Sequence, residues 1–498
     1  MSDTAGLSHS VLNSRSISMR NTNESNTFSY TVSGDGESRL ANTTNLLPEA
    51  CQLSIRTQSS YLHDDGSVFE AQQLNQLLAK DLNNRITEVG ENLAGVMFPD
   101  VAFSFPINDQ FVENFYGSFI SSGGILDENN FQDDHSTAVF LNRMISTIAH
   151  FLDATGQVSL KPLRYFSSVH STKALHGHAI KRKPDNILLH LVDGYLQDGP
   201  FQWSDSQALV EHTREKKPPK RLAETVSVKS YLTFCCQPER DFVICLCITR
   251  KGFHIVMTDH VGQVETDAIP FNRNVSAMVF IRIVMGLAFL PDTFMGVDTT
   301  ITRHEDGKRS NVTFAEKYKP FSYGNDNPSI MLFACSPRLS ANDSIVVTST
   351  QVSSTVTSTS ESSDRNNEIS SILVGNNVYK VIRLLFRSQT LIGRATRAFL
   401  VQFPDGRHGV LKDSWITIER GSEAVFLQGL DIPYGPDLVD QCNLRKTDIF
   451  RKSSISPSIK NKIREKRHIV TYPAGVHICD FTSLLELMFA FFDVVLCK

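Results

Sequence analysis

Three residues carry the most pointed chemistry in this chain: Gly393, Lys412 and Glu423. Gly393 stands in the turn-like string Leu391-Ile-Gly-Arg-Ala-Thr396. A phosphate needs close approach by backbone N–H groups, which a glycine permits and a larger side chain obstructs. Lys412 lies in Val410-Leu-Lys-Asp-Ser-Trp415, where a strand-like run ends, and can neutralise phosphate charge. Glu423 follows at the head of the apolar string Ala424-Val-Phe-Leu427, placed to hold that lysine in position. Gly393 is alone, so the phosphate loop is a reduced one. A hairpin with an exposed lysine gives the same pattern without a ligand, and the residue types alone leave both readings open.

These residues need strands and a helix to position them. Val378–Phe386 reads as a strand, Arg397–Phe403 as the next, Pro404-Asp-Gly406 as a turn and His408–Lys412 as the returning strand. Upstream, Phe69–Ile86 has apolar residues at helical spacing (Leu74, Leu77, Leu78, Leu82), and Ala138–Leu152 repeats the pattern. The segments Ile187–Val192, Tyr231–Phe234, Phe242–Thr249 and Gly252–Met257 read as strands separated by turn residues. Val275–Leu290 then reads as an apolar helix. The fold class is α/β in the α+β sense.

A chain of 498 residues suggests two to four domains. We expect a disordered polar tail over 1–45 and an αβ domain over 50–340. A Ser/Thr-rich linker or insertion over 341–371 and a strand-rich lobe over 372–498 complete the layout. The linker rests on twelve Ser or Thr among residues 348–363, which cannot bury a core. The net charge of -4 gives no sign of a nucleic-acid or membrane partner for the whole molecule. The apolar runs Ser276–Leu290 and Leu484–Cys497 fall short of the roughly 20 residues that span a bilayer. No signal-peptide pattern opens the chain, so the expected location is intracellular, cytoplasmic or nuclear. Nine cysteines without a C-x-x-C pair suit a reducing compartment. Cys245 and Cys247 share a strand face and read as buried free thiols, as do Cys235 and Cys236. The basic stretch Arg445–Arg467 and the string Lys216-Lys-Pro-Pro-Lys-Arg221 read as solvated loops, with an import or nucleic-acid patch as the alternative.

A second constellation lies upstream. Pro184-Asp185 and Glu211-His-Thr213 resemble a damaged PD-(D/E)xK nuclease pattern, in which two acids hold a divalent metal and a lysine helps activate water. Thr213 occupies the lysine position, while Lys216 and Lys217 are out of register, so an active nuclease is not expected. His170, His176 and His178 have no acid or cysteine at a metal-ligand spacing and read as surface residues.

The strings Gly393-Arg-Ala-Thr396 and Leu411-Lys-Asp-Ser-Trp415 resemble the fungal-type protein kinase family. So do Lys183-Pro-Asp185, Gly296-Val-Asp-Thr-Thr300, Tyr472-Pro-Ala-Gly475, Phe481 and Leu484-Leu-Glu-Leu487, in that order. The resemblance implies a protein-kinase-like small lobe beside an αβ domain, with ATP and Mg²⁺ as cofactors. It implies that Gly393 belongs to the phosphate loop, that Lys412 contacts nucleotide phosphates and that Glu423 pairs with it. It also implies that the backbone around Tyr472 and Ala474 meets the adenine. The family continues with a His-Arg-Asp catalytic loop and a metal-binding aspartate, and these 498 residues contain neither. The expectation is therefore a lobe truncated before its catalytic loop, with most of the large lobe missing and no catalytic or metal-binding residues. Such a chain is expected to be inactive in transfer to protein Ser/Thr. The alternative is a pseudokinase that docks a protein partner.

Overall fold

The computed structural model describes residues 71–320, excepting 84, 91, 104–106, 109, 112–113, 116–127, 157–159, 214–218, 250–251, 272–273 and 304–308. It further describes residues 369–388, 390–429, 436–447, 463–475 and 488. The expected tail 1–45, the Ser/Thr-rich stretch 348–363, Lys216, Lys217 and the apolar run 484–497 apart from Met488 lie outside the described residues.

The first large sheet takes its strands from β1 (Ile86–Val89), β2 (Arg164–Ser167), β3 (Asn186–His190), β5 (Ala208–Thr213), β6 (Phe242–Thr249), β7 (Gly252–Asp259) and β8 (Gln263–Thr266). Their spatial order is β1-β8-β7-β6-β5-β3-β2, and the short β9 (Ile269–Pro270) pairs with β7. A separate ribbon joins β4 (Tyr195–Gln197) to β11 (Arg309–Thr313). The helices α1 (Ala71–Asp81), α2 (Asp134–Ala154), α3 (Pro219–Cys236) and α4 (Asn274–Phe289) belong to the same part of the chain. β6 is apolar on both faces because both are covered, as a central strand requires. α4 is apolar apart from its first turn and Arg282, and Phe280, Ile281, Val284, Met285, Leu287 and Ala288 are all fully buried. α2 starts where Asp133 caps it, its carboxylate accepting from the Ser136 N–H at 2.6 Å.

One element differs from the sequence reading. Tyr231–Phe234, read as a strand, lies inside α3. β5 and β6 are parallel neighbours, and a parallel pair needs a crossover. α3 supplies it, burying Leu222, Val226, Lys229, Ser230 and Thr233 at helical spacing. A four-residue aromatic and β-branched string carried no sign of that long-range demand.

The second large sheet is antiparallel throughout. Its strands are β10 (Ile301–Arg303), β12 (Ile369–Val374), β13 (Asn377–Arg387), β14 (Arg397–Gln402), β15 (His408–Thr417), β16 (Asp437–Lys446) and β17 (Arg464–Tyr472), in the order β10-β12-β13-β14-β15-β17-β16. The short helix α5 (Glu423–Gly429) follows β15. The segments on either side of the Ser/Thr-rich stretch therefore meet in one sheet, through the pairing of β10 with β12. The sheet curls: Tyr379 Oη and Asn377 Nδ2 both donate to Asp440 on the far strand, at 3.0 and 2.9 Å. Ile372, Val374, Val401, Leu411 and Val470 fill the concave side. No helix among the described residues is long and apolar enough to cross a membrane.

Candidate functional site

Lys412 sits in β15, registered between Ala398 of β14 and Ile469 of β17. Ala398 is in turn registered with Phe386 of β13. Its ammonium donates to Glu423 Oε2 at 2.5 Å. Glu423 opens α5, and the neighbouring Ser422 hydroxyl accepts from the Ala424 N–H. The two side chains remain 31% and 42% exposed, so the pair is open to an incoming anion. Phe386 is also exposed, leaving an apolar surface near the lysine.

Tyr472 ends β17, and the Ala474 N–H donates to the His408 carbonyl at 3.4 Å. Since β17 pairs Ile469 with Lys412, Tyr472 lies three residues along the strand, roughly 10 Å from the lysine's level. The Arg407 guanidinium stacks 4.7 Å from the Tyr472 ring. Lys412 and Glu423 are thus brought together, with the Tyr472 and Ala474 backbone at the end of the neighbouring strand.

Gly393 has a different neighbour. It adopts φ +140°, and its N–H donates to the carbonyl of His260, in the turn between β7 and β8, at 3.0 Å. Leu391 and Ile392 are buried in the core of the first sheet. The phosphate-loop candidate is therefore packed on the αβ domain.

The contact between the sheets contains ionic groups that sequence reading missed. Lys466 Nζ lies 2.9 Å from Asp241 Oδ1 and 2.6 Å from Asp298 Oδ2, with Asp413 Oδ2 at 3.9 Å. Arg397 reaches Asp413 at 3.4 Å, and Arg445 reaches Asp241 at 3.3 Å. Burial works against the Lys466 charge, but the three carboxylates outweigh it and hold the ammonium above the ordinary lysine range. Burial would likewise raise Asp413; Lys466, His468 and Arg397 more than offset that and hold its carboxyl below the usual range. Arg445 and Lys446 lie in β16, and Arg464 to Arg467 lie in β17, so both ends of the supposed solvated basic loop are strand. Strand pairing turns Lys466 inward, which charge counting could not show.

The upstream acids have also found partners. The Asp185 carboxylate accepts from the His212 N–H at 2.7 Å, beside Glu211 on β5. Lys229, from α3, donates to Glu211 in a sealed pair whose side chains are 6% and 5% exposed. Burial opposes the Lys229 charge, yet the Glu211 and Asp185 carboxylates prevail and raise it above the ordinary lysine range. Lys229 thus neutralises Glu211 from a helix and leaves that carboxylate engaged. The lysine's position at i+3 from buried Val226 was the available signal. Among the described residues, no group of three or more His, Cys, Asp or Glu is placed to hold a metal ion. His170, expected at the surface, is buried and accepts from the Phe201 N–H at 3.2 Å, filling a structural role.

Five antiparallel strands with a glycine turn between the first two, a lysine on the third, a glutamate on the following helix and a connecting segment after the fifth define the small lobe of a protein kinase. The family model described as fungal protein kinase matches residues 183–352 and 330–432, and the chain belongs to that family. No curated protein matches the chain.

Proposed function

We propose that this chain binds ATP on the open face of its small lobe, as the nucleotide-holding part of a fungal-type protein kinase. The observation that carries the reading is the accessible Lys412–Glu423 pair at 2.5 Å. Nucleotide phosphates would take the Lys412 ammonium, while Glu423 keeps the lysine extended along the sheet. The backbone at Tyr472 and Ala474 would offer its polar groups to the adenine, with Ala398 and Phe386 as nearby apolar surface. Magnesium fits this picture as a companion of the phosphates, where it would offset their charge. These 498 residues contain no His-Arg-Asp string, so we read them as binding nucleotide without transferring its phosphoryl group.

ATP–Mg²⁺ should raise the melting temperature of the full chain, following RT ln(1 + [L]/Kd). Lys412→Ala should abolish that shift. A wild-type protein indifferent to millimolar ATP–Mg²⁺ would favour the partner-docking pseudokinase instead. The metal-nuclease alternative has less support, because Glu211 is already engaged by Lys229.

A further inference from the structure

We propose that the αβ domain is an intramolecular brake on this nucleotide site, gripping the glycine turn and keeping it from a bound phosphate. The proposal rests on the nucleotide-binding reading above. Its central observation is a pair of hydrogen bonds from one residue. The His260 carbonyl accepts the Gly393 N–H at 3.0 Å, and His260 Nδ1 lies 3.0 Å from the Leu391 carbonyl. A carbonyl can only accept, so Nδ1 is the donor. The backbone N–H that a phosphate loop would present at its glycine is therefore already engaged.

The turn is also anchored on both sides of this clasp. Leu391, Ile392 and Ala395 are 1%, 8% and 6% exposed, and the first two belong to the αβ core. At the ends of the flanking strands, Arg387 donates to the Cys235 carbonyl and Arg397 to the Pro238 carbonyl. These carbonyls lie at and just beyond the C-terminus of α3, where helix carbonyls lack partners and the dipole favours cations. The two arginines thus tie the whole hairpin to the αβ domain.

Strand alternation gives the consequence. On β15, Asp413 and Trp415 face one side and Lys412 the other. The Trp415 ring lies 6.0 Å from the His260 ring, which places the clasp on the side away from Lys412. A phosphate on Lys412 would therefore meet a sheet whose glycine turn is held on the opposite face. The grip has two weak points. Ala395 is kept at φ +44°, a left-handed conformation that L residues rarely adopt. The His260 Nε2 is buried with no hydrogen-bond partner, beside a small cavity also lined by Ser388 and Thr390. Apparent ATP affinity should then scale with the fraction of molecules whose turn is released.

The test uses the full chain and two release variants, His260→Ala and Arg387→Ala, with melting curves to confirm folding. Arg387 is only partly buried, so its variant guards against a His260 variant that fails to fold. Calorimetric titration with ATP–Mg²⁺ should show each variant binding about tenfold tighter than wild type, a change of about 1.4 kcal/mol. Adding Lys412→Ala should remove the binding in every background. Hydrogen exchange at residues 391–395 should accelerate in both release variants. Freed amides with unchanged ATP affinity would overturn the brake and leave the nucleotide site standing. Unchanged exchange in both folded variants would overturn the grip itself. No ATP binding by any form would overturn the nucleotide reading, and the brake with it.

Discussion

Two Lys–Glu pairs among the described residues share one chemistry and differ in accessibility. Lys229 and Glu211 are sealed between α3 and β5, with side chains 6% and 5% exposed. Lys412 and Glu423 bridge β15 and α5 with side chains 31% and 42% exposed. A sealed pair cannot exchange its partner without opening the core, so its role is structural. The open pair can share its lysine with an arriving phosphate while the carboxylate stays hydrated. Proximity of lysine and glutamate alone therefore does not mark a site; access to a ligand separates the two.

The sharpest way to break this contrast is Lys229→Ala. It would leave Glu211, whose carboxyl is already pushed up to about 8 by burial, beside Asp185 without its cation. Removing one partner of a buried pair costs up to about 3–5 kcal/mol, less where the acid takes up a proton. Denaturant unfolding should show that loss. Lys229→Met combined with Glu211→Leu should recover most of it, because the double change leaves no lone charge. A single variant within 1 kcal/mol of wild type would mean that water reaches the pair.

A second sealed arrangement, around Lys466, should show its character through pH. Asp413 has its folded-state pKa held below the ordinary 3.8, as does Asp298, where Lys466 and Thr300 outweigh burial. A depressed carboxyl stabilises the fold above its unfolded pKa and loses that contribution as pH falls through the folded value. Lys466 is raised above the ordinary 10.5, so its contribution is complete below that value and fades as pH climbs through the higher folded pKa. The contribution of Asp413, Asp298 and Lys466 should therefore be complete between these limits, and the gap in urea midpoint between wild type and Asp413→Asn should shrink as pH falls below about 3.8. Asp413→Asn should cost about 1.5–3 kcal/mol at neutral pH and flatten the acid limb. An unchanged acid limb in that variant would refute the assignment.

The fold was legible where local pattern determines structure. The periodicity of Ala138–Leu152, the apolar run Phe242–Thr249 and the sequence of strands around Lys412 all became the expected elements. Tyr231–Phe234 failed because a crossover between parallel strands, remote in sequence, decides its conformation. At the site, the order of elements set Glu423 downstream of Lys412, and the family resemblance implied their pairing. Lys466 could not be paired in that way, because its three aspartates lie in different parts of the chain and only the folded sheets bring them together. The family strings also divided unexpectedly. In Leu411-Lys-Asp-Ser-Trp415, Lys412 points to the open face while Trp415 meets His260 of the αβ domain and Asp413, on the same side, joins Arg397 and Lys466, since adjacent strand residues face opposite ways. One short motif thus serves both a ligand surface and a domain contact.

The smallest effect on stability should come from the open pair, and that smallness is informative. Lys412→Ala removes an ion pair that solvent already screens, so unfolding free energy should change by only about 0–1 kcal/mol. The same variant should lose the whole thermal shift that ATP–Mg²⁺ gives wild type. Glu423→Gln should keep the fold equally well but retain part of the shift, because the ammonium survives while its tether weakens from a charged to a neutral partner. Melting curves with and without nucleotide would measure both quantities in one experiment. A Lys412→Ala protein destabilised as much as Lys229→Ala would erase the distinction, because the exposed pair would then be holding the lobe together. Preserved stability with abolished nucleotide response fits only a lysine held ready for a ligand, since a structural cation could not be removed so cheaply.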